Sequence, residues 1–150
     1  MKTGHRGLSL IKLFEGLRLQ QYKCPAGYWT IGYGHLVKSG EQIPLIVSEE
    51  DANRWLEQDL RIAERAIGRF VRVALNQNQF DALVSFTFNL GTGALQRSTL
   101  RQKLNRGEYG DAASEFGRWV FAGGQRLKGL VRRRQAEASL FMETENDKSD

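Results

Sequence analysis

Residues 14–35 read Phe14-Glu15-Gly16-Leu17-Arg18-Leu19-Gln20-Gln21-Tyr22-Lys23-Cys24-Pro25-Ala26-Gly27-Tyr28-Trp29-Thr30-Ile31-Gly32-Tyr33-Gly34-His35, and the punctuation of this stretch decides the fold. Leading into it, Leu8, Leu10, Ile11, Leu13, Phe14 and Leu17 recur at mostly helical spacing. Gly16 stops that pattern, so a first helix ends near Glu15. Leu19–Lys23 and Tyr28–Gly34 then predict two short strands around the turn Cys24-Pro25-Ala26-Gly27. A third strand is expected at Leu36–Lys38, closed by a Ser39-Gly40 turn.

Beyond this hairpin the period changes. Ser48 followed by Glu49, Glu50 and Asp51 opens a long helix, since both the cap and the acids suit its N-terminal dipole. Ala52, Trp55, Leu56, Ala63, Ala66, Ile67 and Phe70 trace its apolar stripe. From Asn76 onwards every segment reads as helix: Gln79–Leu90, Leu95–Asn105, Asp111–Trp119 and Leu130–Phe141, separated by Gly91, Gly93, Gly107 and Gly123-Gly124. The expected class is α+β and mostly α. A β-containing lobe at about 16–46 is joined by a helix at about 48–70 to a helical lobe at about 75–142. Residues 143–150 are polar and expected to be disordered. Lobes joined in this way leave a cleft, a favoured ligand site.

Chemistry concentrates in the opening stretch. Glu15 is the only acid among the first forty residues, which carry Lys2, Arg6, Lys12, Arg18, Lys23 and Lys38. At a helix C-terminus beside Phe14 and Leu17, its neutral form is favoured, as a general acid requires. Cys24 is the only cysteine; at a turn beside Lys23 it should be partly exposed, with its thiolate favoured. Strand alternation puts Tyr28, Thr30, Gly32 and Gly34 on one face, so the glycines leave a bare floor beside the Thr30 hydroxyl. Each residue has an ordinary reading too: a solvated helix-end glutamate, a buried thiol, a strand threonine. Their combination within sixteen positions is what points to a site. His35 reads as a structural histidine bonded to a backbone or carboxylate group. Trp29, Trp55 and Trp119 read individually as core, with Trp119, next to Arg118, the best cleft candidate. Of Arg132, Arg133 and Arg134, one or two must leave the solvent face, because neighbours on a helix point about 100° apart; hydrogen bonding between the lobes is their expected role.

Composition bounds the alternatives. One cysteine excludes an internal disulfide and a cysteine zinc cluster, and two histidines thirty positions apart make no ligand set, so neither metal nor cofactor is expected. No apolar run approaches the ~20 residues of a membrane helix, and the first residues lack a signal-peptide pattern; stable membrane insertion is not expected, and accumulation in the cytosol is. The net charge of +5 divides into −3 on residues 143–150 and +8 on residues 1–142. A basic body suits an anionic partner, whether nucleic acid, membrane surface or wall polymer.

Three runs carry a resemblance: Glu15-Gly16-Leu17-Arg18-Leu19, Tyr22-Lys23-Cys24, and Trp29-Thr30-Ile31-Gly32-Tyr33-Gly34-His35. Together they resemble the phage-type lysozymes, glycoside hydrolase family 24. The family pattern of Glu, eight residues, Asp or Cys, five residues and Thr is matched at Glu15, Cys24 and Thr30. The likeness continues through Asn76–Phe86, Phe88-Asn89-Leu90-Gly91, Arg118-Trp119 and Gly129–Arg134. It implies a lysozyme-like fold and a muramidase, an endolysin that cuts the β-1,4 bond between N-acetylmuramic acid and N-acetylglucosamine in peptidoglycan.

In that reading Glu15 is the acid, and Cys24 with Thr30 serves the attacking water or supplies a nucleophile. Gly32, Tyr33, Gly34, Arg118 and Trp119 bind the glycan. The resemblance further implies a monomer, held in the host cytoplasm until a holin releases it, with peptidoglycan strands rather than nucleic acid as partner. Two competing readings are a lysozyme-like wall-binding protein weakened by the cysteine and a basic nucleic-acid-binding helical domain. The first is opposed by the intact Glu15 and Thr30. The second lacks a reading motif.

Overall fold

A computed structural model describes residues 1–144. The chain runs α1 (His5–Glu15), β1 (Arg18–Lys23), β2 (Trp29–Gly32), β3 (His35–Leu36), α2 (Glu49–Phe70), α3 (Gln77–Leu90), α4 (Thr92–Arg97), α5 (Thr99–Asn105), α6 (Tyr109–Glu115), a 3-10 turn at Phe116–Arg118, β4 (Phe121–Ala122), β5 (Gln125–Arg126) and α7 (Lys128–Met142). Strands β1, β2 and β3 form an antiparallel sheet in sequence order. Tyr22 is opposite Thr30, and Thr30 is opposite Leu36.

Local chemistry starts the two central helices. Ser48 Oγ accepts the Asp51 N–H at 3.1 Å while Asp51 Oδ2 accepts the Ser48 N–H at 3.0 Å. Asn76 and Gln79 repeat the reciprocal arrangement for α3 at 2.8 and 2.9 Å. Such caps contribute on the order of 1 kcal/mol each. α3 is buried along almost its whole length, from Asn78 to Thr87, because α1, α2 and α7 all pack on it. Phe86 lies edge-on to both Phe116 and Trp119. One core runs from Ile11 and Tyr33 through α2 and α3 to Phe141.

α1 has no side-chain cap of its own and no acid in its first turn. It is capped from α3: Asp81 accepts the Gly4 N–H at 2.8 Å through Oδ1 and the Gly7 N–H at 3.1 Å through Oδ2. Glu64 of α2 accepts both the amide and the hydroxyl of Thr3, at 2.8 and 2.7 Å. The helix that ends in Glu15 is therefore fixed at its start by two other helices.

Several expectations need correction. Alternation in β2 ends at Gly32, because Gly32 and Gly34 both take positive φ, 67° and 81°. The span expected as Leu95–Asn105 is two helices, divided at Ser98, whose Oγ accepts the Arg101 N–H at 3.0 Å and starts α5 afresh. The expectation of helix throughout the second half misses the hairpin β4–β5. Its turn, Gly123-Gly124, has positive φ at both positions, 58° and 78°, as a twist-matched two-residue turn requires. Of the tail expected to be disordered, residues 145–150 lie outside the described residues. Glu143 is anchored: it pairs with Arg6, and its carbonyl accepts Asn78 Nδ2 at 3.1 Å. Among the described residues, no helix is long and apolar enough to cross a membrane.

Candidate active site

Glu15 stands where two cavities meet. One, of about 500 Å³, is lined on its β side by Gly34, His35 and Leu36, and on its helical side by Asp59, Ile62 and Thr87 among others. The other, of about 780 Å³, is lined by Phe14, Leu127, Leu130, Arg132 and Arg133. Glu15 and Asn89 belong to both, so the carboxyl lies where the two cavities join.

The fold holds that carboxyl from two sides. Arg133 Nη1 donates to Glu15 Oε2 at 2.7 Å, and the arginine side chain is only 5% exposed. Arg133 is itself fixed by Ser85 and Glu137, whose carboxylate accepts the Ser85 hydroxyl at 2.6 Å. Arg134 crosses to Asn89 Oδ1 at 2.6 Å. Two of the three consecutive arginines thus leave solvent, as helical geometry demands, and one of them reaches α1. On the other side, a Cβ at Gly34 would come within 2.9 Å of Glu15 Oε1. Only glycine gives both this approach and the positive φ.

Cys24 and Thr30 form a second group, at the far end of the β1–β2 hairpin. The Cys24 N–H donates to the Tyr28 carbonyl at 2.9 Å, and the Cys24 carbonyl accepts the Gly27 N–H at 2.8 Å, closing the turn. The thiol is partly exposed. A backbone hydrogen bond from Tyr28 is the main influence holding it below the ordinary cysteine range. Slight burial opposes this, while the Ala26 and Gly27 backbone and the Thr30 hydroxyl reinforce it. Thr30 is buried and its hydroxyl also reaches the Tyr28 carbonyl, at 3.1 Å. Thr30 lies one ladder step from the cleft, opposite Leu36.

The expected glycan-binding residues separate. Gly34 lines the groove. Gly32 faces α2, where a Cβ would lie 3.3 Å from that of Ala52. Tyr33 is buried in the core with Lys12 Nζ 5.4 Å from its ring centroid. Trp119 packs edge-on against Phe86, and Arg118 is exposed and paired with Glu115 at 3.2 Å; neither lines the two cavities around Glu15. Trp29, read as core, is half exposed under Lys23. Sequence reasoning missed Arg133 and Asn89 as groove residues. The arginine run was a signal for the first.

His35 is the structural residue expected of it. Nδ1 meets Asp59 and Nε2 meets Glu41, both at 2.8 Å, and its ring stacks on Trp55. Burial pulls its pKa down, but the hydrogen bonds and charges of Asp59 and Glu41 outweigh burial and hold it above the ordinary 6.5. A raised pKa contributes stability that is complete below the unfolded value and is lost as pH rises through the folded one. The expected result is a melting temperature that falls as pH rises above the ordinary 6.5 and the imidazolium loses its proton, with a flatter profile in His35→Gln. Calorimetry across that range measures it; an equally steep fall in the variant would refute it.

Among the described residues, no group of three His, Cys, Asp or Glu could hold a metal ion. A groove between a small sheet and a helical lobe, with a glutamate in its lining, is the arrangement of a glycoside hydrolase of the lysozyme class. Comparison with known proteins agrees. Residues 12–137 match the family described as phage lysozyme. The endolysin of Acyrthosiphon pisum secondary endosymbiont phage 1 is 43% identical, over 94% of this chain and 98% of its own. The endolysin of Bacillus phage B103 is also 43% identical, over 97% of this chain but only 56% of its own. The solved muramidase domain of SpmX from Asticaccaulis excentricus superposes with a TM-score of 0.86 at 41% identity, covering 95% of this chain and 99% of that one. The chain belongs to the phage lysozyme family.

Proposed function

We propose that this protein is an endolysin muramidase that hydrolyses the β-1,4 bond from N-acetylmuramic acid to N-acetylglucosamine in peptidoglycan. The observation that carries the reading is the position of Glu15, fixed at the junction of two cavities by Arg133. A glycan lying along the groove offers its glycosidic oxygen to Glu15, which donates the proton as the bond breaks. Water attacks from the Cys24 side. One of its protons goes to the thiolate while a lone pair of the Thr30 hydroxyl receives the other in a hydrogen bond. Hydrogen bonds from the Cys24 turn, which stabilise the thiolate, support this role. The protein works as a monomer, and it is retained in the host cytoplasm until a holin gives it access to the wall.

This mechanism fixes two products. New reducing ends should be N-acetylmuramic acid, and the first-formed anomer should be inverted, with no glycan left on the enzyme. Borohydride labelling of digested sacculi reads the first, and proton NMR of a soluble muropeptide oligomer in the first minutes of reaction reads the second. New N-acetylglucosamine reducing ends would refute the muramidase reading. A retained β product, or a glycan covalently held on Cys24, would make the thiol a nucleophile and leave the rest standing.

A further inference from the structure

α2 has a second working face. Arg54, Arg61, Arg65 and Arg69 are all exposed, and their spacing of seven, four and four residues puts them within an arc of about 80°, along about 22 Å of the helix. Within that arc α2 also carries Gln58 and, in its first turn, Asp51, the one acid there. Arg54 pairs with Asp51, and Arg69 lies over the Phe70 ring. Arg61 and Arg65 have no intramolecular partner among the described residues.

This arginine row lies between two concavities. On one side Ile62, 57% exposed, is the rim of the groove that holds Glu15, one helical turn from Arg65. On the other side is a separate depression of about 630 Å³, lined by Lys2, Thr3, Glu57, Arg61, Glu64 and Arg65. Glu64 is occupied by Thr3, so the cations there outnumber the available acid. An anionic chain that leaves the groove over Ile62 therefore meets Arg65, then Arg61, then a pocket.

We propose that this face of α2 binds the acidic stem peptides of peptidoglycan, so that a strand in the groove is also held by its peptide across the helix. The inference rests on the muramidase reading. The lengths agree: a stem of about five residues extends to ~17 Å, enough to cross a helix ~10–12 Å in diameter. The chemistry agrees as well, because a guanidinium takes a carboxylate with two parallel hydrogen bonds, as a lysine cannot.

The test compares Glu15→Gln with the same protein carrying Arg61→Gln, Arg65→Gln and Arg69→Gln, by co-sedimentation with purified sacculi at physiological salt. Melting curves confirm that both are folded. The expected result is roughly tenfold weaker binding in the quadruple variant, a difference that disappears on amidase-stripped glycan strands immobilised on beads. With Glu15 restored, the three arginine substitutions should leave hydrolysis of a peptide-free glycan oligomer unchanged. Equal binding to intact sacculi would overturn the proposal. So would a loss that persists on stripped glycan, or arginine-dependent retention on duplex DNA or anionic vesicles without any effect on sacculi. If the unsubstituted protein released no reducing ends from any substrate, the muramidase reading would fail instead, and the binding comparison would still stand or fall by itself.

Discussion

Glu15→Gln is expected to reduce lysis of permeabilised bacteria by ~10²–10⁴-fold, the range that a positioned general acid contributes, while the protein remains folded. The amide keeps the shape of the side chain, and its oxygen can still accept from Arg133, which donates to Glu15 Oε2 at 2.7 Å in the native protein. Arg133 keeps Glu137 and Ser85 as partners, so no buried cation is abandoned. Because the pair is largely buried, the variant is expected to melt lower than the native protein but to stay folded through these remaining hydrogen bonds. What the amide cannot do is release a proton to a departing sugar oxygen. Initial rates of turbidity loss, with a melting curve on the same preparation, provide the measurement. A folded variant that keeps more than about half the native rate would remove Glu15 from the mechanism. The same comparison decides against a protein that only binds the wall, since such a protein has no lytic activity for the substitution to abolish.

Cys24→Ser should be the second most damaging change, on the order of 10²-fold, because a hydroxyl is a far weaker base and nucleophile than a thiolate. The backbone hydrogen bonds from Tyr28, Ala26 and Gly27 that hold the thiol pKa down cannot bring a serine hydroxyl into a useful range. Cys24→Asp should retain substantial activity. A carboxylate at the same turn can accept the donors that now stabilise sulfur, and it restores the other residue that the family resemblance implies at this position. The thiol is partly exposed, which gives the larger side chain room. Initial rates for the three proteins order these roles. A fully active Cys24→Ser would reduce the thiol to a structural group, and an inactive but folded Cys24→Asp would separate this site chemically from its carboxylate relatives.

Much of this could be read from residue order. The ends of α1 and α2, the caps at Ser48 and Asn76 and the hairpin around Cys24 are local decisions made by a few neighbours. The spacing of Glu15, Cys24 and Thr30 is also local, and it carries the family resemblance; of the three, the structure puts Glu15 in the lining of the groove. The Gly123-Gly124 hairpin escapes a reading of residue order although its cause is local, since two adjacent glycines punctuate helices and turn strands equally well. Gly32 and Tyr33 face away from the groove for a related reason. Alternation presumes extended backbone, and the positive φ of Gly32 ends it, turning those residues toward α2 and the core.

The sequence by itself determined the class of fold and the family, because short-range periodicity, capping and motif spacing carry that information. The tertiary structure alone decided what surrounds those groups. Arg133 is 118 residues from Glu15, and Asp81 is 74 from the Gly7 amide it caps. Sequence distance says nothing of such pairings, which arise because α1 and α7 both bury their faces on α3. The groove exists for the same reason: its walls come from Gly34 and Leu36, from α2 at Asp59 and Ala63, from α3 at Thr87 and Asn89 and from α7 at Leu130 and Arg133, and packing, not residue order, brings them together.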